Sequence, residues 1–113
     1  MTLLLNLLVL KTKQLEKLKD FYTNLGLEFI YHKHGDGLLH YSCVLENGFV
    51  FEIYPTDQEL SDSTRIGFKV NDLKLIREKM QENPIQIIKN TKQELNEVII
   101  LLDPDGRKVE ISN

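Results

Sequence analysis

Two glutamates, Glu52 and Glu110, stand 58 residues apart at the same place in two strand-like segments, Phe49 to Tyr54 and Arg107 to Ser112. Equivalent positions in a duplicated unit often build one shared site. Two carboxylates in one site can ligate a divalent cation, or they repel each other until some other positive group lies between them. The same offset carries Leu7 onto Arg65 and Val9 onto Gly67. Arg65 is therefore a candidate for the positive group, because a charge-assisted Arg–carboxylate pair is geometrically specific. The alternative is that Arg65 turns to solvent at the start of its strand.

The histidines offer a second constellation. His32 and His34 are two residues apart and share one face of a strand. If the turn Gly35-Asp36-Gly37 pairs His32 with His40, both histidines look toward Glu52, and His32, His40 and Glu52 form an alternative metal triad. The reading preferred here gives no metal site. In it His40 and Tyr54 hydrogen-bond a small molecule, and His32 and His34 lie at the rim. Ser42 has neither a His–Asp relay nor a nucleophile elbow beside it, so acyl transfer has little support. Lys33 to Gly37 is followed by a strand pattern and not by a helix N-terminus, so it reads as a hairpin and not a phosphate loop. Cys43 sits in an alternating strand and reads as a small, inert core residue.

The elements that position these residues repeat. A strand from about Leu3 to Thr12 leads to a helix from about Gln14 to Asn24, with Leu15, Leu18, Tyr22 and Leu25 at helical spacing, ended by Gly26. Strands follow at Leu27 to His34, Leu38 to Leu45 and Phe49 to Pro55, the last two joined at Asn47-Gly48. Thr56 to Thr64 is a polar connector. A strand at Arg65 to Val70, a helix at Asp72 to Glu82 and strands at Ile85 to Asn90, Glu97 to Leu102 and Lys108 to Ser112 complete the second unit. Asp72 suits the N-cap of its helix, and Asp103-Pro-Asp-Gly106 has strong turn chemistry. The expectation is one domain, 1–113, of two βαβββ modules, 1–55 and 65–113, joined by 56–64.

Alternation across strands assigns faces. If Leu45 pairs with Phe49, Ser42 lies opposite Glu52 and His40 opposite Tyr54, all on one face. Tyr41, Cys43, Leu45, Phe51 and Ile53 form the other face, under the first helix. In the second module Ile66, Phe68, Val70, Val109 and Ile111 point to the helix, and Arg65, Gly67, Lys69, Lys108 and Glu110 point away.

Composition narrows the partners. The chain has 113 residues, 42% of them hydrophobic, and a net charge of −3. A core of this size leaves apolar surface for a partner, so a homodimer is expected. The charge excludes the broad basic surface that nucleic acid requires. The apolar run Leu3 to Leu10 is shorter than the roughly 20 residues of a membrane span and reads as a buried strand. With a single cysteine and no export leader, the cytoplasm is the expected location.

These residues together resemble the vicinal oxygen chelate superfamily, which includes glyoxalase I, extradiol dioxygenases, fosfomycin-resistance proteins and bleomycin-binding proteins. The resemblance spans the chain. It rests on the duplicated βαβββ order, Leu15-Glu-Lys-Leu-Lys-Asp-Phe-Tyr22 with Leu25-Gly-Leu-Glu-Phe29, Phe51-Glu-Ile-Tyr-Pro55 and Asp103-Pro-Asp-Gly-Arg-Lys-Val-Glu-Ile111. It implies an α+β fold in which two modules wrap a mixed sheet into a cup with helices outside, commonly in a homodimer. It also implies metal ligands at a His on the first strand and a Glu on the last strand of each module. Glu52 and Glu110 match, whereas Leu7 and Arg65 replace the histidines, and neighbouring Asn6 is a poor substitute.

The resulting expectation is a glyoxalase/bleomycin-resistance-like protein with an incomplete metal site and no cofactor. It binds a small amphipathic molecule through His40, Ser42, Glu52, Tyr54, Arg65, Lys69 and Glu110. The alternatives are a metal-dependent glyoxalase- or dioxygenase-like enzyme with a displaced ligand set, and a dimeric regulatory or structural module without ligand.

Overall fold

The computed structural model describes every residue except His34 and Pro84. Its elements are β1 (Leu7–Thr12), α1 (Leu15–Asn24), β2 (Ile30–His32), β3 (His40–Val44) and β4 (Val50–Pro55), then β5 (Ile66–Lys69), α2 (Leu73–Glu82), β6 (Ile87–Gln93), β7 (Asn96–Leu102) and β8 (Lys108–Ser112). The fold is α+β, with βαβββ twice. Each module forms a four-stranded mixed sheet, ordered β1-β4-β3-β2 and β5-β8-β7-β6. In both, the first and last strands pair in parallel and the others antiparallel. The chain divides into two compact units, Met1–Thr23 with Leu27–Leu60, and Asn24–Gly26 with Ser61–Asn113. No helix among the described residues is long and apolar enough to cross a membrane.

The first unit packs as its alternation requires. Leu18, Phe21 and Tyr22 are the buried face of α1, and the Tyr22 ring meets Phe51 of β4 edge-on at 5.0 Å. Cys43, Phe51 and Ile53 lie buried on that side of the sheet. Thr12 starts the helix by accepting the Gln14 amide on its hydroxyl at 3.0 Å. Gly26, at φ 115°, ends it in a left-handed conformation that a Cβ would disfavour. In the second unit Leu73, Ile76 and Met80 are the buried face of α2, and Asp72 caps it by accepting the Leu75 amide.

Three strands differ from the sequence expectation by three residues or more at one end. The first strand begins at Leu7 and not Leu3. Leu3, Leu4 and Leu5 are 83–84% exposed, and within β1 only Leu10 and Thr12 are buried. Pairing, and not hydrophobicity, sets this limit, because β4 offers β1 partners only from Val50 to Pro55. The strand expected from Leu27 to His34 shortens to Ile30–His32, matched to the three β3 residues His40, Tyr41 and Ser42; His34 lies outside the described residues. The strand expected from Ile85 to Asn90 runs later, to Gln93, and pairs with β7 through a register shift between Ile87 and Lys89.

The repeat extends into its turns. In the first unit the Leu45 amide donates to Phe49 O and the Gly48 amide to Leu45 O, each at 2.8 Å; in the second the Asp103 amide donates to Arg107 O and the Gly106 amide to Asp103 O, each at 2.9 Å. These are three-residue loops closed by a left-handed glycine, and not two-residue Asn-Gly turns.

The second turn delivers Arg107 to the core side of its sheet, the face of Val109 and Ile111, with 1% of its side chain exposed. Three carboxylates receive it. Nε donates to Asp62 at 2.6 Å, and Nη1 donates to Asp103 at 3.2 Å and Asp105 at 2.9 Å. Burial alone would lower the Arg107 pKa, yet the hydrogen bonds it donates to Asp62, Asp105 and Asp103 leave it raised. Breaking a buried charge pair by removing one partner costs about 3–5 kcal/mol. Arg107→Met is therefore expected to lower unfolding stability by about that amount in urea titrations at neutral pH. Arg107→Lys should recover only part of it, having no planar fork.

Asp62 carries the pH dependence of this cluster. A hydrogen bond with the Thr64 hydroxyl, opposed by desolvation and reinforced by the Thr64 amide and Arg107, lowers it from 3.8 to about 2. A carboxyl held lower in the folded than in the unfolded chain stabilises the fold fully above its unfolded pKa and loses that contribution as pH falls through the folded one. Stability worth on the order of 2 kcal/mol should thus disappear between pH 3.8 and about 2. Acid titration of unfolding stability should show this part of the slope flattened in Asp62→Asn.

Candidate functional site

Four of the seven expected site residues, His40, Ser42, Glu52 and Tyr54, come together on the first module's sheet, on the face away from α1. Ser42 pairs with Glu52 across β3 and β4, and His32 pairs with His40 across β2 and β3. The antiparallel pairing stacks His40 on Tyr54, with ring centroids 3.9 Å apart and planes 10° from parallel. His32 meets the other side of His40 edge-on at 4.5 Å. The result is a ladder of three rings beside a carboxylate.

Glu52 is 8% exposed and His40 is fully buried. His40 Nε2 lies 3.0 Å from Glu52 Oε2, and His32 Nε2 lies 3.8 Å from the same oxygen. On the other side of its ring, His40 Nδ1 lies 2.9 Å from the Leu38 carbonyl oxygen. A carbonyl only accepts, so Nδ1 carries a proton, and Nε2 is the nitrogen turned to the carboxylate. The ligand atoms of His32, His40 and Glu52 all lie within 4.8 Å of one another. His32 thus belongs to the cluster and not to a rim remote from it.

Two openings adjoin the cluster. A pocket of about 380 Å³ is lined by Asn6, Leu7, His32, Ser42, Val50 and Glu52. A broader groove of about 900 Å³ runs along β1 and the end of β4, with Leu7, Val9, Lys11, Leu38 and Tyr54 on its walls and Asp57 and Gln58 at one end. Leu7, Val9 and Lys11 line this groove but stand outside the expected ligand-binding set, although alternation from the buried Leu10 and Thr12 places them on this face. Leu38 opens the strand expected from Leu38 to Leu45, where alternation puts it on the face of His40, although β3 itself begins only at His40. Partial burial first and the Glu52 carboxylate second push the Tyr54 phenol up, so it stays a neutral hydrogen-bonding group near pH 7. Cys43 faces the core, where burial pushes its thiol up and keeps it a poor nucleophile.

Arg65, Lys69 and Glu110 belong to the second unit. Arg65 Nη2 donates to Glu110 Oε1 at 2.8 Å, with half of the arginine side chain exposed. The arginine thus pairs with a carboxylate and is not left to solvent alone. Lys69, on β5, is exposed.

The metal-ligand set implied by the family resemblance does not fit these residues. The strand partners of the two glutamates are Val9 for Glu52 and Gly67 for Glu110, and the positions two residues earlier are Leu7 and Arg65. None supplies an imidazole. Arg65 adds a fixed positive charge beside Glu110.

The His40–Glu52 contact is measurable as a coupling. Replacing His40 by Leu leaves a buried carboxylate without this partner and is expected to cost about 1–3 kcal/mol. A double-mutant cycle of His40→Leu and Glu52→Gln should return a coupling of about 1 kcal/mol or more by urea denaturation.

Comparison with known proteins agrees with this architecture. Similar solved structures include "Oxidase ChaP-H2" (TM-score 0.79, 17% identity, covering 100% of this chain and 94% of that one). Others are a glyoxalase/dioxygenase from Nostoc punctiforme (TM-score 0.76, 15% identity, 96% and 88% covered) and a glyoxylase/bleomycin resistance protein/dioxygenase domain from Frankia sp. EAN1pec (TM-score 0.75, 15% identity, 99% and 97% covered). At these identities the likeness is one of fold. None of the curated proteins matches the sequence. The family model for the Glyoxalase/Bleomycin resistance protein/Dioxygenase superfamily matches residues 4–111, and with the duplicated βαβββ fold this places the chain in that superfamily.

Proposed function

We propose that this superfamily member binds a small amphipathic molecule along the groove of its first module. The observation that carries the reading is the composition of that groove. Leu7, Val9 and Leu38 offer apolar contact, Tyr54 an aromatic wall, and Lys11, Glu52 and Gln58 separated polar groups. Ligand sites commonly combine mostly apolar walls with a few placed polar groups that orient the ligand. Charges of both signs suit a polar molecule with an aromatic or aliphatic body better than a hydrocarbon or a polyanion.

We also propose that the chain works as a homodimer. Support comes from the apolar side chains left exposed at and before the edge strand β1, among them Leu3, Leu4, Leu5, Leu7 and Val9, because contiguous exposed apolar surface marks interaction sites. Light scattering over a dilution series is expected to give twice the chain mass; a monomer at micromolar concentration would contradict it.

Binding is tested by thermal-shift screening of an aromatic and amphipathic metabolite library, followed by calorimetry on the hits. Tyr54→Ala is expected to weaken a hit about tenfold or more, the loss of about 1.4 kcal/mol or more. Hits unaffected by both Tyr54→Ala and Lys11→Ala would mean that the ligand binds elsewhere.

A further inference from the structure

We infer that His32, His40 and Glu52 form a binding site for a divalent transition metal of the zinc type, built within the first module. It shares Glu52 with the last-strand positions that the family resemblance implies but takes its imidazoles from β2 and β3 and not from the first strands, and it does not depend on the groove's taking an organic ligand.

The donor set is chemically suited. Two imidazoles and one carboxylate form a known three-residue ligand set for zinc that leaves a coordination position open. Donor atoms around a four-coordinate ion with bonds of about 2.0–2.2 Å stand roughly 3.3–3.5 Å apart. The separations from Glu52 Oε2, 3.0 Å to His40 Nε2 and 3.8 Å to His32 Nε2, fall on either side of that spacing.

A second observation is independent of the spacing. His40 presents both ring nitrogens to acceptor oxygens, Nδ1 to the Leu38 carbonyl and Nε2 to the Glu52 carboxylate. A neutral ring has one N–H and can satisfy only one of them. A cation held between Nε2 and Oε2 turns the remaining contact into two favourable bonds. The Nδ1–H to carbonyl bond then fixes the tautomer and orientation of the ring, as outer hydrogen bonds do at histidine metal sites. The competing arrangement is a doubly protonated His40 paired with Glu52, which needs no metal.

The site also has rigidity and an approach. His40 is clamped between the rings of Tyr54 and His32, and the three ligands come from three consecutive strands of the sheet, β2, β3 and β4. The pocket beside His32, Ser42 and Glu52 leaves room for water on the open side.

The test is calorimetric titration of the full chain with Zn²⁺, after chelator treatment and removal of the chelator, without an affinity tag. One ion per chain with micromolar or tighter affinity is expected. Co²⁺ should give the intense visible absorption of a four-coordinate site. His40→Ala and Glu52→Gln should each weaken Zn²⁺ at least about 100-fold. Circular dichroism checks their folding, and the partly exposed His32→Gln provides the same test should a buried-site variant unfold. Glu110→Gln, at the family's last-strand position, should leave affinity within about twofold. Wild type binding no tighter than His32→Gln would overturn the proposal in favour of the doubly protonated pair. Loss of binding in Glu110→Gln would overturn it in favour of the family's ligand set.

Discussion

A carboxylate in the middle of a sheet face is expensive to bury, and the site is organised around that cost. Glu52 lies on β4 between β1 and β3, with 8% of its surface exposed. Desolvating such a group costs several kcal/mol unless charge and hydrogen bonds offset it. The β1 side offers Val9 as its strand partner, so relief comes from β3 and β2, where Ser42, His40 and His32 stand on the same face. Tyr54 and His32 then hold the His40 ring from both sides. His32, His40, Ser42 and Glu52 thus form a polar line on this face, and Glu52 and Tyr54 also line the groove beside β1.

The two modules meet the same demand differently. Glu110 occupies the repeat position of Glu52, but its partner Arg65, 2.8 Å away, is half exposed, the kind of surface pair that contributes little stability. The second module's heavily buried charge is instead Arg107, on the opposite face, satisfied by Asp62, Asp103 and Asp105. Duplication preserved backbone order, the register of the closing strand against both its neighbours and the geometry of the closing turn, while the most buried charged side chain became an arginine on the opposite face. In the first module His40, Ser42 and Glu52 are buried on the sheet face away from α1, whereas in the second Arg107 ties Asp62 to the closing hairpin.

Much of this was legible in the sequence because period-two alternation is a strong constraint. Once Leu45 opposes Phe49, the placement of Ser42 against Glu52 and of His40 beside Tyr54 follows, whereas the pairing of His32 with His40 rests on a separate condition, the register set by the turn at Gly35 to Gly37. Less legible were features set by partners. The apolar run before Leu7 looks like strand, yet strand formation needs a pairing edge and β4 supplies none there. Arg107 shares the core face of Val109 and Ile111 by alternation alone, but its burial depends on Asp62, a residue of the polar connector. The weight of the histidine cluster was likewise hidden, since no spacing rule shows that the Leu38 carbonyl occupies the second nitrogen of His40.

The proposed cation position at Glu52, within the polar line on the first module, is tested by anomalous diffraction from crystals grown with Co²⁺, recorded on both sides of the cobalt absorption edge. One strong anomalous peak within bonding distance of His32, His40 and Glu52 is expected. A map in which His40 contacts Glu52 with no peak between them, or in which the ion sits on other residues, would contradict it.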